Sequence, residues 1–136
     1  LTLVLDGSVA IAWCFLDERT PSVDALHVRV GQGGAIVPAI WPLEVANVLL
    51  LAVRRGRLTP ANKVLAVEAL LDLAILTETD TDRYVWSDIT RLAEKHRLTA
   101  YDASYLELAL RRRLPLATLD AALTRAATAE GIPTLP

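Results

Sequence analysis

At 136 residues the chain is the size of one domain, expected to span residues 1–136, and long enough to bury roughly two-thirds of the surface exposed when unfolded. Hydrophobic residues make up 53% of it and aromatic ones 5%, the Ala, Leu and Val mix of buried parallel strands beneath covering helices, and more apolar than a monomer needs. A formal charge of −2 excludes a protein that holds polyanions by bulk attraction alone, and the single cysteine, Cys14, excludes an intrachain disulfide and points to a cytoplasmic setting.

No membrane span is expected: the most apolar window, Ala35 to Val53, is broken by Pro38, Pro42, Glu44 and Asn47, and no signal-type segment precedes the first apolar run. That first run, Thr2 to Leu5, is short and β-branched, so it reads as a buried strand. Gly7-Ser8 then turns into a helix from about Ser8 to Phe15, leaving Asp6 at the strand's carboxyl end. Pro21 opens a second helix carrying Val23, Leu26, Val28 and Val30 to the glycines of "GQGGA". Those glycines precede the strand "AIV", whereas a phosphate-cradling loop follows a strand, so they read as a helix stop.

Pro42 starts a helix reaching Arg55, and "GRLTPANK" turns the chain into another at Pro60, giving two long apolar helices in a hairpin. "AILT" is a third strand, "TETDTD" introduces a helix from about Arg83 to His96, and Asp102 opens the next, ending at Arg113. "LPLATLD" supplies a fourth strand, a final helix follows Asp120, and "GIPTLP" is a short edge strand. The alternation predicts a three-layer α/β/α sandwich with a mainly parallel central sheet.

In such a sheet the carboxyl ends of the strands and the N-termini of the following helices share one edge, with a crevice where strand order reverses. Asp6, Glu44, Asp102 and Asp120 all belong to that edge. Singly, each has the bland reading of a helix cap or first-turn acid, a role that gains about 1 kcal/mol. Two like charges about 4 Å apart repel by roughly 4 kcal/mol at an effective dielectric near 20, so convergence outweighs capping. Crowded carboxylates either take up protons or bind a cation, and hard oxygen ligands suit Mg²⁺ or Mn²⁺. Such an ion activates water and stabilises charge on phosphate oxygens, which makes phosphodiester hydrolysis the natural chemistry. Ser8, Asn47 and Thr118 accompany the acids and could orient a water, a carboxylate or a phosphate.

Read in order, "LVLDGSV", "PAIWPLEVANVL", "LTAYDASYLELAL" and "LATLDAAL" resemble the PIN-domain ribonucleases, and most closely the VapC-like toxins of type II toxin–antitoxin pairs. The resemblance implies an α/β/α sandwich, a divalent-metal ribonuclease site, a homodimer, and inhibition by a small cognate antitoxin. Asp6, Glu44, Asp102 and Asp120 match the family's acidic quartet, and Ser8, Asn47 and Thr118 match the polar positions beside it. Gly7 departs from the small polar residue common there. The implied mechanism is metal-assisted attack of water on an RNA phosphodiester, with Asp6 and Asp120 as principal ligands and Glu44 and Asp102 completing the site or positioning the water.

Two arginine clusters, Arg54-Arg55-Gly56-Arg57 and Arg111-Arg112-Arg113, are candidate contacts for RNA phosphates or for acidic groups of an antitoxin; the alternative is solvated helix ends. The helix faces from Leu43 to Val53 and from Val64 to Leu73 are expected to bury against a second copy or the antitoxin. The main rival reading is a catalytically inactive PIN-like RNA-binding or antitoxin-docking module. A phosphoacceptor domain would want a lysine near the end of a later strand, where neither Lys63 nor Lys95 falls. His27, His96 and Cys14 lack zinc-ligand spacing, and Ser8 lacks a nucleophile-elbow setting.

Overall fold

A computed structural model describes all 136 residues. Five short strands, β1 (Val4–Leu5), β2 (Ala35–Val37), β3 (Ile75–Thr77), β4 (Leu116–Ala117) and β5 (Thr134–Leu135), form one sheet in the order β3-β2-β1-β4-β5. Every neighbouring pair is parallel. The three central strands are wholly buried, as expected of a parallel sheet covered on both faces. β1 is shorter than the predicted run, yet the Thr2 amide still bonds the Gly34 carbonyl at 3.2 Å and extends the tie to the neighbouring chain.

Eight helices surround the sheet: α1 (Gly7–Cys14), α2 (Pro21–Gly33), α3 (Trp41–Arg54), α4 (Pro60–Leu71), α5 (Thr81–Tyr84), α6 (Thr90–His96), α7 (Ala100–Arg112) and α8 (Ala121–Ala129). Their starts follow local chemistry. Proline occupies the first turn of α2, α3 and α4, and Thr20, Thr59, Thr99 and Asp120 accept amide hydrogen bonds as N-caps of α2, α4, α7 and α8. α7 begins at Ala100 rather than Asp102 because Thr99 is the cap, accepting from the Asp102 amide at 3.1 Å. Gly34 ends α2 at φ +71°, where a side chain would also crowd the Ala74 carbonyl at 2.9 Å.

α1 to α4 pack with one another, and α5 to α8 form the second helical layer around α7, as right-handed crossovers in this strand order require. The predicted Arg83–His96 helix differs in detail: it starts at Thr81 and is interrupted by a π-turn, Val85–Ile89. There the Thr90 hydroxyl bonds the Val85 carbonyl five residues back, the spacing of the wider turn. The core is built on Leu3, Leu5, Ile36, Leu106, Leu108 and Leu116, all fully buried, and residues Ala103 through Ala109 of α7 are buried without a break.

The apolar hairpin is only partly absorbed. α3 buries Trp41, Val45, Leu49 and Ala52 along one face, whereas α4 buries no residue and leaves Leu65 and Leu71 at 62% and 77% exposure. No helix is long and apolar enough to cross a membrane.

Candidate active site

Register builds the site. Leu5 pairs with Ala117, Val4 with Ile36, and Val37 with Thr77, so one residue further along each strand Asp6, Pro38, Glu78 and Thr118 come level at the carboxyl edge. The chain runs outward from β1 through β2 to β3 and then returns to β4, so strand order reverses between β1 and β4. That boundary is where an open α/β sheet forms its crevice, and Asp6 and Asp120 follow its two strands.

Asp6 is only 7% exposed, and its Oδ2 accepts hydrogen bonds from the hydroxyls of Ser8 at 2.6 Å and Thr118 at 2.7 Å. Each hydroxyl in turn accepts a backbone N–H at 3.0 Å, Ser8 from Leu119 and Thr118 from Asp120. With their lone pairs engaged by amides, both hydroxyls give their protons to Asp6, and both fasten it to the loop between β4 and α8. Asp120 caps α8 through Oδ1, which accepts from the Leu123 amide at 2.8 Å. Glu44, in the first turn of α3, accepts at Oε1 from the Tyr105 hydroxyl at 2.7 Å. Tyr105 is fully buried in α7, so its bond ties α3 to α7 across the floor of the site.

Asp6, Glu44, Asp102 and Asp120 line one cavity of about 320 Å³ together with Ser8 and the exposed Asn47. Thr118 stands behind Asp6, as a support. Burial pushes the Asp6 carboxyl above its ordinary pKa despite the bonds from Ser8 and Thr118, and the charge of Asp120 adds to the rise. Burial likewise raises Glu44 against the pull of Tyr105, with Asp6 and Asp102 adding repulsion. Burial, then Asp120 and Asp6, raise Asp102. The four acids therefore feel one another, as convergence demands.

Their chemistry fits a hard divalent cation: all are oxygen donors, and the bonds from Ser8 and Thr118 fall on Oδ2 of Asp6 while the bond from Leu123 falls on Oδ1 of Asp120. No three of them stand at metal-holding spacing in this arrangement, so holding an ion requires the carboxylates to draw together.

The arginines divide. Arg57 pairs with Asp17 and Glu18 at 3.0 and 2.9 Å and lies 3.9 Å above the Phe15 ring. Arg111 is taken up by Glu78 at 2.8 Å and Glu107 at 2.7 Å, with its guanidinium 4.1 Å from the Tyr84 ring centroid. Arg54, Arg55, Arg112 and Arg113 are exposed. The Arg111 cluster begins nine residues beyond Asp102, roughly 13 Å along the α7 axis. His27 packs edge-on against Trp13, and His96 ends α6 with a 3.0 Å bond to Glu130, so one histidine serves packing and the other a helix-end hydrogen bond. Gly7 needs no unusual backbone: a Cβ there would meet Val45 at 3.6 Å, ordinary contact. Tyr105 is the site residue that sequence reasoning missed; its spacing of three from Asp102 puts both on one face of α7, a signal that was present.

A parallel α/β/α sandwich with an acidic notch at the reversal of strand order is the class that fold and site define. The chain belongs to the PIN domain family, whose model matches residues 3–129. Among solved structures it is similar to PAE2754 from Pyrobaculum aerophilum, at 22% identity and a TM-score of 0.72, over 98% of this chain and 90% of that one. It is also similar to FitAcB from Neisseria gonorrhoeae, at 19% identity and a TM-score of 0.69, over 99% of this chain and 97% of that one. At these identities the likeness is one of fold. No curated protein matches the chain.

Proposed function

We propose that the chain is a divalent-metal-dependent endoribonuclease of VapC-like type, the toxin of a toxin–antitoxin pair, working as one PIN-like nuclease domain over residues 1–136. The observation that carries this reading is that four carboxylates, drawn from the ends of β1 and β4 and the first turns of α3 and α7, line a single cavity without a basic side chain among them. When bound, Mg²⁺ or Mn²⁺ supplies a charge that lowers the pKa of water and stabilises phosphate oxygens.

Asp6 and Asp120 are the principal holding groups, because the Ser8 and Thr118 hydroxyls fix one oxygen of Asp6, the Leu123 amide fixes one oxygen of Asp120, and both acids line the cavity. Glu44 and Asp102 complete the wall and orient the attacking water, Glu44 being steadied by Tyr105. Asn47 lies one helical turn beyond Glu44, placed to meet the substrate at the rim. RNA contacts are assigned to exposed Arg54, Arg55, Arg112 and Arg113 in preference to Arg57 and Arg111, whose charges are already engaged. The unburied α4 and exposed Leu43 support a homodimer or an antitoxin-covered face in a cytoplasmic protein.

The spacing of the acids favours a second reading, an inactive PIN-like RNA-binding or antitoxin-docking module. Incubating the protein with total RNA, with and without Mg²⁺ or Mn²⁺, separates the two. Metal-dependent cutting that falls at least about 100-fold in Asp6→Asn, a transition-state loss of about 2.7 kcal/mol, supports the nuclease. RNA bound but uncut by both proteins supports the module, and equal cutting by both overturns the assignment of Asp6.

A further inference from the structure

We propose that the apolar cavity beside the acidic notch is a nucleobase subsite, with Tyr101 as the ring on which a base of the RNA stacks. The inference rests on the ribonuclease reading and names how that site grips its substrate. The cavity measures about 190 Å³, room for one planar base, and its wall includes Ile40, Val85, Ile89, Ala100 and Tyr101. It neighbours the notch along the chain at two places, the first turn of α7 and the residue before α3. Ala100 and Tyr101 line the apolar cavity and the next residue of α7, Asp102, lines the acidic one; Ile40 precedes α3, whose first turn carries Glu44.

The chemistry of the wall selects the occupant. It contains no charged side chain. Its two aliphatic hydroxyls are already committed: Thr81 donates to Glu78 at 2.8 Å and accepts from the Ala39 amide at 2.9 Å, while Ser104 donates to the Tyr101 carbonyl at 2.6 Å. What remains is aliphatic surface and an aromatic ring, 60% exposed, that no partner in the chain covers. Such a wall rejects a phosphate and accepts the face of a base whatever its identity. The neighbouring notch repels a polyanion, so beside the arginine contacts part of the substrate's grip has to come from a group that carries no charge. Single-stranded RNA, with bases free to turn out of the stack, offers that group.

The test uses the full chain with Mn²⁺ and short single-stranded oligoribonucleotides. Tyr101→Ala should raise KM about tenfold with kcat little changed, whereas Tyr101→Phe, which keeps the ring, should match wild type. Trp86→Ala removes a tryptophan that is 90% exposed and off the cavity wall, and should leave cleavage unchanged. In a set of oligoribonucleotides each carrying one abasic position, one position should cost wild type about tenfold and cost Tyr101→Ala nothing further. Wild-type cleavage that Tyr101→Ala leaves intact overturns the subsite while the nuclease stands. Intact cleavage with lost inhibition by the cognate antitoxin reassigns the cavity to protein docking and also overturns it. A wild-type protein that neither binds nor cuts RNA removes both readings.

Discussion

Around Arg111, Glu78 and Glu107 are 5% and 4% exposed, at least as deeply buried as Asp6 at 7%. There the countercharge is built in: Arg111 bonds both carboxylates, Thr81 donates to the second oxygen of Glu78, and the Tyr84 ring covers the guanidinium. The notch holds twice as many acids and receives only hydroxyl and amide protons. Burial of carboxylates alone therefore does not mark a functional site in this fold. What distinguishes the notch is negative charge that the chain gathers at a structural cost and does not neutralise itself, the pattern expected where an external cation and a reaction are to be accommodated.

The largest effect expected from breaking this contrast lies in the paired region. Arg111→Met strands two buried carboxylates, which costs about 3–5 kcal/mol for a fully buried pair and about 3 kcal/mol here, where the Arg111 side chain is 22% exposed. Urea unfolding should show the loss, and Glu78→Gln with Glu107→Gln on the same background should restore most of it. A loss under about 1 kcal/mol would mean that Arg111 neutralises little and that the two regions do not differ in kind.

In the notch the same kind of change should have the opposite sign. Asp6, Glu44 and Asp102 all titrate above their ordinary values, so the folded chain holds protons more tightly than the unfolded one. Their contribution to stability is fully present below the ordinary carboxylate pKa and is lost as pH rises through the raised values. In a chelator at pH 7, Asp6→Asn should therefore be more stable than wild type by roughly 1 kcal/mol, about 3 °C in Tm, and the gap should close as pH falls through the raised value of Asp6. Mn²⁺ should then raise the Tm of wild type and leave that of the variant nearly unmoved. An Asp6→Asn protein that melts lower than wild type at pH 7 would show that the acids are not in repulsive contact.

Which parts of this contrast could be read from the sequence follows from the range of the forces involved. Strand ends, proline-started helices and the turn after Leu5 are local, so β2, α2 and α4 fall within a residue or so of expectation and Asp6 lands at its strand end. The four acids line one cavity because parallel topology fixes the edge they share. The Thr118 bond to Asp6 needed the register of β1 against β4, a pairing across more than a hundred residues that no local pattern encodes. The Arg111 network was hidden for a different reason: Glu78 lies in "TETDTD" and Arg111 in a run of three arginines, both of which look like solvated charge until the fold buries them. The π-turn and the partnership of Arg57 with Asp17 and Glu18 also depend on tertiary neighbours.

The smallest effect tests how finely the notch is held. Ser8→Ala and Thr118→Val each remove one donor to Asp6 Oδ2 and one acceptor for a backbone amide, at about 1 kcal/mol of stability apiece. Because both hydroxyls serve the same oxygen and the same loop, the double variant should lose less than the two losses together, with a coupling of roughly 0.5 kcal/mol in a double-mutant cycle. Cleavage should fall severalfold in each single variant, since the surviving donor still orients Asp6. Strict additivity would mean that the hydroxyls support the loop separately, and that the fixed position of Asp6 comes from its place in the strand register alone.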